Sequence, residues 1–153
     1  MISNSVNEKM ISFKELEKKI FKYVCELGCE ITRSILEAYD DAVAVKRDKQ
    51  KYRNKGKRAT CIKTVYGSVK YQRRIYGTIT ENGEKAYVYL LDAEMRMDKI
   101  GMISSNLAEK IAMTVTESPY RVTAETISST SGQSISASGV WNVMQRLGEK
   151  ISE

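Results

Sequence analysis

The 153-residue chain contains no histidine. That removes the imidazole on which acid–base and triad chemistry most often relies. Three cysteines, Cys25, Cys29 and Cys61, are too few and too unevenly spaced for a disulfide framework. Cys25 and Cys29 lie one helical turn apart, but without histidine a tetrahedral zinc site in one chain lacks its usual fourth ligand. No glycine-rich phosphate loop is present. No apolar run approaches the ~20 residues needed to span a bilayer, and the N-terminus carries no signal peptide, so a cytoplasmic location is expected. Acidic residues offer little more: Asp40 and Asp41 are adjacent on a helix and so do not share a face. Asp92, Glu94 and Asp98 fall in one connector, where three carboxylates read as solvated rather than as a magnesium cage. The expectation is a binder without catalytic residues, metal or cofactor.

What the chain does have is concentrated positive charge. Its net charge is +6. The segment KRDKQKYRNKGKR, Lys46 to Arg58, carries +7 by itself and leaves the remainder at −1. Such a run cannot form a core. Its cations, Lys46, Arg47, Lys49, Lys51, Arg53, Lys55, Lys57 and Arg58, are candidates for phosphate contact, which is salt-sensitive and independent of base sequence. The plainer alternative is a solvated helix end and linker, favoured there by the helix dipole.

Ser12 followed by Glu15 forms a capping box that starts a long helix. Phe13, Leu16, Ile20, Val24, Leu27, Ile31, Ile35 and Ala38 recur every three or four residues, a stripe expected to pack on the rest of the chain, with pairing to a second copy as the alternative. The helix is expected to continue through Val45 into the basic run. From Thr60 the period changes to β-branched and aromatic alternation, with turns at Tyr66-Gly67 and at Asn82-Gly83, a type I′ dipeptide. This predicts a small antiparallel sheet of three or four strands from about Thr60 to Leu90, with Lys63, Lys70, Arg73 and Arg74 as a second basic surface. After the connector, Ser104 to Val115 reads as a helix with Asn106 and Glu109 as its capping pair and Leu107, Ile111 and Val115 inward.

Ser118 to Ile151 has the punctuation of two helices about a glycine. Ser118 is the expected N-cap, with Pro119 at the first helical position and Tyr120, Ala124 and Ile127 on one stripe. Gly132 is the expected left-handed C′ residue. In the second helix Ser136 caps, Ile135 staples onto Val140, and Val140, Met144, Leu147 and Ile151 form the apolar side. The opposite side carries Ser138, Asn142, Gln145, Arg146 and Glu149. Ser138, Asn142, Gln145 and Arg146 are candidate base contacts, since an amide pairs bidentately with adenine and arginine with guanine. Trp141 is assigned to the core. The pattern predicts a helix-turn-helix supported by a third helix, although the stretch from Gly132 to Ser136 exceeds the tight turn of that motif. The fold class is α+β, divided as residues 12–58 (long helix and basic linker), 59–98 (sheet and connector) and 104–153 (helix-turn-helix).

The strings FKELEKKIFKYVCELGCEI, TVYGSVKYQRRIY, YVYLLD, ISSNLAEKI and SPYRVTAETISSTSGQSISASGVWNV, in this order, resemble the N-terminal region of ISLre-type bacterial insertion-sequence transposases. The resemblance covers Phe13 to Ile151. It implies a segment that binds the terminal repeats of its element as double-stranded DNA, followed in such proteins by an RNase H-like domain in which three acids hold two divalent metals. No residue here matches those acids, so a transposase segment truncated before its catalytic domain is expected. The alternative is a self-association module, or a non-functional remnant, that would interfere with full-length transposase through mixed oligomers.

Overall fold

The computed structural model describes residues 10–97, 99–116 and 119–152. Helix α1 runs Phe13–Lys46. Ser12 and Glu15 start it as expected: Ser12 Oγ accepts the Glu15 N–H at 3.3 Å and Glu15 Oε2 accepts the Ser12 N–H at 3.2 Å. The helix stops where the basic run begins. Arg47 is extended, its Nε donates to the Tyr52 carbonyl, and Asp48 Oδ1 accepts the Gln50 and Lys51 N–H groups, so a closed turn replaces further helix.

Strand β1, Arg53–Thr64, follows at once and pairs antiparallel with β2, Gly67–Ile79, which pairs with β3, Lys85–Val88. The sheet thus starts at Arg53 rather than Thr60. Half of the basic run is strand because its partner across the hairpin, through Tyr76 and Gly77, dictates it, an override of weak local propensity. Between Asn54 and Lys57 the register slips by one residue, and Gly56 takes up the bulge at φ +94 with its N–H on Asn54 Oδ1. The β2–β3 loop turns through Gly83 at φ +80, while Asn82 keeps a negative φ, so it is not the type I′ turn expected.

A short helix α2, Leu90–Glu94, begins the expected connector and buries Leu91 completely. Strands β4, Lys99–Ile100, and β5, Ile103–Ser104, complete a sheet of order β3-β2-β1-β5-β4. It is mixed, not antiparallel, because β5 runs parallel to β1 at Lys63 and Ile103, with the Lys63 N–H donating to Met102.

Helix α1 lies along the edge of β2 that β3 leaves open. The Gln72 N–H donates to Glu37 Oε1 at 3.1 Å and the Arg74 N–H to Asp40 Oδ1 at 3.0 Å, so helix carboxylates satisfy strand donors that would otherwise face solvent. Leu36 packs with Ile62, Val69, Tyr71 and Leu91. The face in contact is therefore the one bearing Cys29, Thr32, Leu36 and Asp40. The apolar stripe expected to pack internally is on the other side and is uncovered: Phe13, Ile20, Val24, Ile31 and Ile35 are all exposed. The docked face joins these carboxylate hydrogen bonds to the packing of Leu36.

Helices α3, Ser105–Val115, α4, Tyr120–Thr130, and α5, Ala137–Ser152, enclose a second core of Leu107, Ala108, Ile111, Ala124, Ile127, Val140 and Val143. The cap of α3 is Ser104, whose Oγ accepts the Leu107 N–H, instead of Asn106. Pro119 occupies the cap position of α4 rather than the first helical one, and Ser118 lies outside the described residues. Ser136 caps α5, its Oγ accepting the Gly139 N–H at 3.1 Å, as expected. Val143 fills the place given to Met144 and Ile151, of which Ile151 is exposed.

Gly132 is not left-handed, contrary to expectation. It is glycine because the β1–β2 turn sits on it: its N–H donates to the Val65 carbonyl at 2.9 Å, and a Cβ would collide with the Tyr66 carbonyl. Gly132→Ala should therefore cost about 1–3 kcal/mol by overpacking a backbone contact. Urea denaturation that shows no shift in midpoint would contradict this role.

Candidate nucleic-acid interface

The basic run is divided between structure and surface. Arg47 is committed: its guanidinium donates to the Ala44 and Tyr52 carbonyls and lies over the Tyr76 ring, 5.4 Å from the centroid. Lys57 approaches Asp41 at 3.9 Å, both exposed. The other six, Lys46, Lys49, Lys51, Arg53, Lys55 and Arg58, are exposed and form no ion pair among the described residues.

Three of them meet in a trough of about 320 Å³ between the turn after α1 and the β2–β3 ribbon. Lys51, Arg53 and Lys55 form one side and Lys85 and Tyr87 the other. The floor is Gly77, which pairs with Arg53 on one neighbour and Tyr87 on the next. Because Gly77 has no side chain, the Lys55 stem lies over it; a Cβ there would come within 3.0 Å of Lys55 Cε. Tyr87 is 65% exposed, unusual for a large aromatic and suited to stacking. Lys85 and Tyr87 escaped sequence reasoning, although the Asn82-Gly83 turn already folded their strand back towards the basic run.

The expected second basic surface is half neutralised. Arg73 pairs with Asp92 and stacks on Tyr89, 3.7 Å from the ring centroid. Arg74 is held by both Asp40 and Asp41 at 2.7 Å. That shared guanidinium holds the Asp41 carboxyl below the usual carboxylate range, chiefly through its hydrogen bond. Lys63 and Lys70 remain exposed. Asp40, Asp41 and Asp92 thus serve arginines rather than a metal, Glu94 is exposed, and Asp98 lies outside the described residues.

On α5, Ser138, Asn142, Gln145 and Arg146 are all exposed and share one side, opposite Val140 and Val143. Ser138 Oγ shares a hydrogen bond with Ser136 Oγ, and the Arg146 guanidinium lies against Gly101 in the β4–β5 turn. Trp141 is not core: at 49% exposure it borders this polar face. The structure does not bring this face and the trough together. The loop that leads into α5 meets the Val65–Gly67 turn through Gly132 and Gln133, whereas the trough lies at the other end of the hairpin, where β1 begins.

Fold and surface together define an α+β protein with a long N-terminal helix, a mixed sheet and a C-terminal helical unit. The chain belongs to the Uncharacterised protein family (UPF0236), whose profile matches residues 6–152. No curated protein and no solved structure matches it. Among the described residues, no helix is long and apolar enough to cross a membrane.

Proposed function

We propose that this chain is the DNA-binding N-terminal segment of an insertion-sequence transposase and engages the terminal repeats of its element. The trough carries the DNA contact: four cations without ion-pair partners among the described residues surround a floor that Gly77 keeps low enough for the Lys55 stem to cross, beside an exposed tyrosine. Phosphates bound there release condensed counterions, which supplies sequence-independent affinity. Helix α5 supplies the reading, in a helix-turn-helix with α4, by placing Asn142, Gln145 and Arg146 against base edges in the major groove. In this reading one duplex contacts both surfaces; the 12 residues of β1 span about 36 Å, close to one turn of B-form duplex. The transposase assignment rests on the ordered strings from Phe13 to Ile151. In this reading the residues bind DNA, and no strand chemistry is assigned to them.

Asn142→Ala and Arg146→Ala test the reading half. Each is expected to cost about 1–3 kcal/mol on the repeat and to relax preference at one base position, with affinity for random duplex kept. Equal losses on both duplexes would remove α5 from base recognition.

A further inference from the structure

Helix α1 carries an apolar face that the described residues leave bare. Phe13, Val24 and Ile35 are spaced by eleven residues, as are Leu16 and Leu27, and Ile20 and Ile31. Eleven residues make three turns at ~3.67 per turn, so the stripe holds one side of the helix with a slow right-handed drift. At 100° per residue that side lies directly opposite Cys29, Leu36 and Asp40, which face the sheet. All seven side chains of the repeat are 39% to 76% exposed. No charged residue falls within the stripe; Glu17 and Glu30 border it. Every residue from Ile11 to Val24 is exposed, so about a third of α1 is covered by none of the described residues.

We propose that this face pairs with the same face of a second copy of the chain, α1 against α1. The period argues for a second copy. A helix that stays in contact over this length must carry the same 11-residue repeat, and α1 itself supplies one of matching length. The area agrees: half-exposed side chains along the stripe, with Phe21 and Tyr23 at its margins, offer roughly 600–800 Å² per copy, near the ~800 Å² per partner of stable interfaces. This pairing goes beyond the DNA-binding reading and stands or falls without it.

Sedimentation equilibrium of the full chain from about 1 to about 100 µM tests it. The chain should be dimeric through most of that range. Ile20→Glu with Leu27→Glu should be monomeric throughout, while Lys18→Glu, which changes charge equally on the opposite side, should stay dimeric. Trp141 fluorescence and the urea midpoint of the body check that the double variant keeps its fold. A monomeric native chain, or a dimer untouched by Ile20→Glu with Leu27→Glu, overturns the proposal. So does a monomer that instead pellets with anionic phospholipid vesicles through this face, since lipid would then be the occupant.

Discussion

Arg53→Ala, Lys55→Ala and Lys85→Ala combined should weaken binding to every duplex by about a hundredfold near physiological salt. The reason is counterion release. Three phosphate contacts contribute roughly 0.9 each to the slope of log affinity against log salt, so the slope should flatten by about 2.7. These side chains line one trough and pair with no carboxylate among the described residues, so their removal uncovers no buried charge. Gly77→Val offers a version without charge loss: it fills the floor, displaces the Lys55 stem and should weaken binding in the same nonspecific way. Titrations at several salt concentrations, on repeat and random duplex, give both numbers. An unchanged slope would remove the trough from the interface.

Arg74→Met should destabilise the fold by about 3–5 kcal/mol, a large share of the 5–15 kcal/mol typical of a domain. Asp40 is 1% exposed, and its carboxylate accepts the Arg74 backbone N–H at 3.0 Å and the guanidinium at 2.7 Å. With the guanidinium gone, a buried carboxylate keeps one backbone donor. Adding Asp40→Leu should restore part of the loss, because an apolar pair tolerates burial better than a single orphaned charge. The deficit should also depend on pH. The Asp41 carboxyl is held low chiefly by the Arg74 hydrogen bond, so its contribution is present above the ordinary carboxylate value of about 3.9 and disappears as pH falls through the lowered folded value. The difference between native chain and variant should therefore narrow in acid. Urea midpoints at neutral and acidic pH measure it, and a loss under 1 kcal/mol would show that Asp40 finds other partners.

Local signals were legible where a few adjacent residues settle the geometry. Ser12 with Glu15 and Ser136 with Gly139 start helices as their types require, and the Tyr66-Gly67 hairpin follows from β-branched runs on both sides. Where distant partners decide, sequence reasoning failed. Which face of α1 docks depended on Glu37 and Asp40 meeting open N–H groups on β2, and no periodicity reports that. Gly132 looked like a helix stop, but its cause is the Tyr66 carbonyl, far away in the chain. Trp141, beside Val140, reads as core, yet its position on α5 leaves it half exposed at the border of the polar face. At the candidate interface the basic run is evident from charge alone, while its division into Arg47, spent on a turn, and Arg53 and Lys55, joined by Lys85 in a trough, needs strand register.

Sequence-specific DNA binding is tested most directly by fluorescence anisotropy of the native chain on the element's terminal repeat against a random duplex of equal length, at matched salt. The account predicts affinity for the repeat at least about a thousandfold higher, the lower end for specific recognition, with a steep salt dependence on both duplexes. Equal affinity for the two would contradict it.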